Sequence, residues 1–114
     1  IKAIPTLMVD EYKTVGKVTA RTAFAAMKKG DKIAAGIVDY YIEHLPCGIA
    51  TMINIFQPEV ISLGGGVSGE GQSLIDSLLP LVRKEQYGGG VVAMTDIRIA
   101  KLGNDAGIIG AALL

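Results

Sequence analysis

The sequence predicts an α/β fold in which three helices, the third long, precede a β-α-β-α unit with parallel strands. Three observations predict it. Apolar residues recur at steps of three and four from Ile33 to Phe56, the period of a helix with one apolar face. Two short apolar runs, Glu59 to Leu63 and Asp96 to Lys101, flank a further helical pattern. The first of these runs, Val60-Ile61-Ser62-Leu63, stops at Gly64-Gly65-Gly66, and Gly69 and Gly71 follow. A strand, a helix and a second strand in this order make a parallel crossover, right-handed by strong preference.

The elements follow in order. Between Ala3 and Tyr12, Ile4, Leu7 and Met8 fall at helical spacing, with Pro5 tolerable in a first turn. Val15-Gly16 is a break. Thr19 suits the cap of a short helix from Ala20 to Lys29, with Phe24 and Met27 on one face. Gly30 ends it after two lysines, Lys28 and Lys29, which read as a solvated helix end. Asp31 opens the long helix as an acidic N-cap. Its stripe comprises Ile33, Ile37, Tyr40, Tyr41, Leu45, Ile49, Met52, Ile53 and Phe56. Pro46 inside it predicts a kink near Ile42 to Pro46, and Pro58 stops it.

Glu59 to Leu63 reads as a strand buried on both faces, because its apolar character is unbroken. Gln72 to Gln86 reads as a helix carrying Leu74, Ile75, Leu78, Leu79 and Val82, interrupted at Pro80. Tyr87 to Gly90 is loop and Val91 to Met94 a short extended piece. Asp96 to Lys101 alternates Ile97 and Ile99 as a strand does. Leu102-Gly103 turns, and Asn104-Asp105 caps a last helix of small apolar residues through Leu114. Two strands are few for a parallel sheet. That, and a first residue that is Ile rather than Met, suggest a piece of something longer.

Bulk properties exclude several classes. Half of the 114 residues are hydrophobic, and the mean hydropathy is +0.43, which is too apolar for disorder. Eleven basic and eleven acidic residues cancel. No basic tract marks a nucleic-acid or anionic-membrane partner. No apolar stretch of about 18 residues predicts a membrane span. The single cysteine, Cys47, cannot form an internal disulfide or a CxxC metal site, and reads as a buried, inert thiol in a reducing compartment. His44, the single histidine, reads as a packing residue beside the apolar stripe rather than a ligand.

The glycines after the first strand suggest a ligand. Bare backbone lets a ligand approach closely and permits positive φ. N–H groups near a helix N-terminus suit an anion, and ligands of open α/β sheets bind at the carboxyl ends of strands. The plain alternative is a turn that binds nothing. Gly64-x-Gly66-x-x-Gly69 formally matches the dinucleotide pattern. Against that match, the pattern wants an acid at the end of the next strand, about 20 residues on. The next strand here starts near Asp96 and ends in Lys101, well beyond that spacing, and three helices also precede the motif. A P-loop fails because no Lys-Ser or Lys-Thr follows.

The stretches "GDKIAAGIVDYYIEHLPCGIATMINIFQPEVISLGGGVS" and "IRIAKLGNDAGIIGAALL" resemble the C-terminal part of a ROK-family sugar kinase of the glucokinase-like branch, in the hexokinase/actin-like ATPase superfamily. The resemblance runs from about Thr19 to Leu114; residues 1 to 18 match loosely. It implies that residues 1–114 are one partial domain, the C-terminal nucleotide-side part of an actin-like, ribonuclease H-like lobe. It implies that Gly64, Gly65, Gly66, Val67 and Ser68 bind the nucleotide, and that the last helix packs with its small residues at a hinge between lobes. A helix that is simply buried is the competing reading.

The resemblance also implies what lies elsewhere. The family's DxGGT phosphate motif, its catalytic aspartate, its sugar ligands and its zinc cluster have no counterpart here, so no catalytic or metal residue is assigned. The expected function is the ATP-binding segment of a cytoplasmic hexose kinase that works with Mg²⁺, with zinc held by the rest of the protein. The acceptor would be a hexose bound through the other lobe. The chain on its own is expected to be inactive, and the kinase to be a homodimer. The alternative within the family is a sugar-responsive transcriptional repressor sharing this lobe. From another class, the alternative is a dinucleotide-binding module.

Overall fold

The structure, a computed structural model, describes residues 5–88 and 93–114. The elements in order are α1 (Met8–Val15), α2 (Ala20–Lys28), α3 (Lys32–Phe56), β1 (Val60–Leu63), a 3₁₀ turn (Gly66–Glu70), α4 (Gln72–Glu85), β2 (Asp96–Ile99), a second 3₁₀ turn (Gly103–Asp105) and α5 (Ala106–Ala112). The chain forms two compact units, the first ending at Tyr41 and the second beginning at Ile42.

In the first unit one carboxylate starts two helices. Oδ1 of Asp31 accepts the N–H groups of Ile33 (2.9 Å) and Ala34 (3.1 Å), capping α3 as its position after Gly30 predicts. Oδ2 accepts the Thr6 hydroxyl and the Leu7 N–H, each at 2.6 Å, at the start of α1. The Thr6 hydrogen bond does most to hold the Asp31 carboxyl below its ordinary value, followed by the N–H of Ala34. The Leu7 and Ile33 N–H groups add to this, and burial opposes it. This arrangement corrects the expected helix from Ala3 to Tyr12. Pro5 and Thr6 are not helical, because Thr6 reaches to Asp31 instead, and the helix begins at Met8. Ala3 and Ile4 lie outside the described residues.

Helix α2 starts as Thr19 predicts. The Thr19 N–H donates to Oγ1 of Thr22 (3.1 Å), whose hydroxyl donates to Glu11 (3.0 Å). Gly30 closes the helix end at φ +88°. Met8, Ala23, Phe24, Ala26, Ala34 and Val38 are buried, and the rings of Phe24 and Tyr41 meet edge to face with centroids 6.2 Å apart.

The apolar stripe of α3 is only partly buried. Ala34, Val38, Pro46, Ile49, Ala50 and Ile53 face inward, while Ile37, Tyr40, Met52 and Phe56 are exposed. Pro46 takes an inward position, so Cys47, one residue on, turns outward. The expected buried thiol is exposed, and so is His44. Beside Cys47, an open apolar groove of about 810 Å³ is lined by Leu45, Met52, Phe56, Pro58 and Ile61. Helix α3 continues through Pro46 and ends ahead of Pro58, where Gln57 adopts φ +46°.

In the second unit β1 and β2 pair in parallel, with Val60 opposite Asp96 and Leu63 opposite Ile99. The helix between them buries Leu74, Ile75, Leu78 and Val82. It runs through Pro80 without the expected interruption. Polar contacts fix the approach to β2. Arg83 donates to the Gln86 side chain and the Thr95 carbonyl, both at 2.8 Å, and the Thr95 hydroxyl donates to the Pro58 carbonyl (2.8 Å). Asn54 joins α3 to the end of α4: its amide nitrogen donates to Glu85 O (3.3 Å) and its oxygen accepts the Tyr87 N–H (2.8 Å).

Three further expectations need correction. Strand β1 alternates between exposed and half-buried residues rather than being buried on both faces, because the sheet among the described residues has two strands and is not covered on both faces. Asn104 and Asp105 supply no side-chain cap to α5. Asp105 is already helical at φ −88°, ψ −6°, whereas an N-cap side chain works from extended backbone. The last helix is also exposed from Gly107 onward, and a Cβ added at Gly107 or Gly110 would meet none of the described residues within 4 Å. Of the expected extended piece from Val91 to Met94, Val91 and Val92 lie outside the described residues.

Candidate functional site

Parallel pairing brings the carboxyl ends of β1 and β2 to the same edge. The ladder extends by one bond, from the Ala100 N–H to Leu63 O at 2.8 Å. Just beyond it the chain turns twice, at Gly66–Glu70 after β1 and at Gly103–Asp105 after β2, and the two turns touch.

The adjacent glycines serve different needs. Gly64 faces the other turn: an added Cβ would lie 3.5 Å from Gly103 O and 3.8 Å from the Ala100 Cβ, in ordinary contact. Gly65 adopts φ +82°, ψ −172°, a region open essentially to glycine alone. An added Cβ there would meet nothing within 4 Å. What requires glycine at Gly65 is therefore backbone conformation rather than crowding by the protein, and the space beside it is open.

Gly64, Gly65 and Gly66 are exposed, Val67 is half-buried, and Ser68 is buried. The Ser68 hydroxyl turns inward and donates to Gly65 O at 2.6 Å, and its own N–H donates to the same oxygen at 3.1 Å. Ser68 O in turn accepts the Gly71 N–H (3.0 Å), and Gly71, at φ +64°, leads into α4. The N–H groups of Ser68 and Gly71 are thus used inside the turn. The five residues named from sequence lie together on one loop at a strand's carboxyl end. The Gly103 turn beside them was read only as a turn. Its signal was a glycine in the equivalent place after the second parallel strand.

Among the described residues no group of three or more His, Cys, Asp and Glu side chains is placed to hold a metal ion. None of the helices described is long and apolar enough to cross a membrane.

Adjoining turns at the carboxyl edge of a parallel sheet, one rich in glycine, define an α/β module with its candidate site where such folds take ligands. The chain belongs to the ROK family, whose pattern matches residues 5–114. It is similar to a glucokinase of Halalkalibacterium halodurans, 40% identical over 88% of this chain and 30% of that protein. It is also similar to a glucokinase of Thermotoga maritima, 35% identical over 89% of this chain and 32% of the other. Among solved structures it is similar to a ROK family glucokinase from Streptomyces griseus in complex with glucose and AMPPNP. That likeness has a TM-score of 0.70 and 29% identity, over 81% of this chain and 30% of the other. The chain thus spans about a third of the length of the curated relatives it matches.

Proposed function

We propose that this chain is the nucleotide-side, C-terminal segment of an ATP-dependent, cytoplasmic hexose kinase of the glucokinase kind, and that residues 1–114 form one partial lobe of it. The observation that carries the reading is the glycine turn at the carboxyl end of β1, with Gly65 held at positive φ beside open space. The AMPPNP and glucose in the complex of the similar Streptomyces griseus enzyme support a nucleotide there and a hexose as acceptor. The relatives named above are kinases, which favours the kinase branch over a repressor.

In this reading Gly64, Gly65 and Gly66 admit the nucleotide against bare backbone, with Val67 beside them. Mg²⁺ bound with the nucleotide would offset charge on its phosphates. The rest of the kinase supplies the base that takes the hydroxyl proton, the sugar ligands and the zinc site. The last helix lies at the hinge between lobes, and the exposed side of Gly107 and Gly110 leaves room for a close neighbour there. The working kinase is a homodimer.

The test uses the chain itself. Titration with Mg-AMPPNP followed by amide NMR is expected to shift the Gly64 to Ser68 signals. A coupled ADP-release assay with glucose is expected to stay at the buffer blank. Glucose-dependent turnover would overturn the division of labour, and unshifted glycine signals would overturn the nucleotide site.

A further inference from the structure

Ser68 is the buried polar side chain of the glycine turn, and its hydroxyl reaches no further than Gly65 O. That oxygen accepts from the Ser68 hydroxyl and from the Ser68 N–H. Two donors from one residue leave it little freedom to rotate. A trans peptide carries its C=O and the following N–H on opposite sides. Holding Gly65 O toward Ser68 therefore aims the Gly66 N–H away from the interior of the turn. Gly66 is exposed, and its N–H makes no backbone hydrogen bond among the described residues.

We propose that Ser68 is a positioning residue for the nucleotide: by holding the Gly65 carbonyl inward it presents the Gly66 N–H outward to an acceptor oxygen of the bound nucleotide. This rests on the nucleotide reading above. It gives Ser68 a different task from its glycine neighbours, since its own hydroxyl never touches the ligand. It also accounts for a hydroxyl residue at a buried place in a turn. The Ser68 N–H alone closes the turn, and the second bond adds rotational restraint on the one peptide that faces outward.

The experiment compares the wild-type chain with Ser68→Ala and Ser68→Thr by Mg-AMPPNP titration, amide exchange and thermal melting. In Ser68→Ala the Gly65 carbonyl keeps one donor, so nothing buried is left unpaired and the chain still folds. Affinity is expected to fall by up to about fivefold, the limit set by one neutral hydrogen bond that the free turn also makes. The Gly66 amide signal is expected to move and the Ser68 amide to exchange faster. Ser68→Thr, which keeps the hydroxyl, is expected to restore both affinity and signal. Equal affinity in wild type and Ser68→Ala would overturn the proposal and leave the nucleotide site standing. Equal weakness in Ser68→Ala and Ser68→Thr would also overturn it, because packing rather than the hydroxyl would then matter. Absence of binding by the wild-type chain would remove the nucleotide reading and this proposal with it.

Discussion

Replacing Gly65 by alanine separates conformation from crowding at the glycine turn. The added methyl has nothing within 4 Å to strike. The backbone, however, sits at φ +82°, ψ −172°, where a residue with a Cβ costs about 1–3 kcal/mol. If the turn keeps its shape, Gly65→Ala loses that much stability, a factor of about 5 to 150 in the folding equilibrium. If the turn relaxes instead, stability is spared and the proposed nucleotide site is reshaped. Gly64→Ala is the control. Its Cβ would make ordinary contacts at 3.5 and 3.8 Å, so a change within about 0.5 kcal/mol is expected. Urea denaturation of both variants, with Mg-AMPPNP titration in parallel, measures the two routes. In the full-length kinase proposed above, Gly65→Val and Gly66→Val are expected to raise the KM for ATP far more than that for the sugar. The reasoning fails if Gly65→Ala matches wild type in both stability and affinity. It fails equally if Gly64→Ala loses as much as Gly65→Ala, since crowding would then be the cause.

Other expectations concern stability and association. Leu78 is fully buried in α4, so Leu78→Ala is expected to cost about 2–5 kcal/mol, read as a lower urea midpoint at an unchanged slope. Asp31 has a carboxyl held below its ordinary value of 3.8 in the folded chain. A depressed folded value means that its contribution is complete above the unfolded value and lost as pH falls through the folded one. Melting curves from pH 6 to pH 2 should therefore show an acid loss in wild type that is smaller in Asp31→Asn, which starts from a lower midpoint. A parallel slope in the two would remove Asp31 as its source. Among the described residues β1 pairs on one side only, and with the apolar groove beside it this predicts self-association. A clean monomer by sedimentation at micromolar concentration would count against that.

Much of the element order was legible because period and punctuation agree. Asp31 after Gly30 and the stripe of α4 each fixed a boundary or a face from local chemistry alone. Burial was less legible. Periodicity finds the apolar side of α3 but cannot tell which apolar residues find a partner within these 114. Ala34, Ala50 and Pro46 are inside while the larger Ile37, Tyr40 and Phe56 are exposed. The same reason undoes the buried readings of β1 and α5. The start of α1 was misplaced because the partner of Thr6 is Asp31, which no local pattern reveals. At the site, the place of the glycines was readable from the strand that precedes them. The inward hydroxyl of Ser68 was not, although a serine three residues after a glycine is a familiar turn arrangement.

The pairing of β1 with β2 also bears on how the chain reaches its native state. The two strands touch only after all of α4 has been threaded between them. Helices form within about a microsecond, whereas contacts distant in sequence wait on loop closure. Residues 60–63, three of them apolar, are therefore expected to wait unpaired early in folding, ahead of a run of glycines too pliant to hold them in place. The closed native pair carries the Arg83 bond to Thr95 and the Thr95 bond to Pro58. If closure of the strand pair limits the rate, stopped-flow refolding of Thr95→Val is expected to slow as its stability falls; an unchanged refolding rate would place the closure after the barrier.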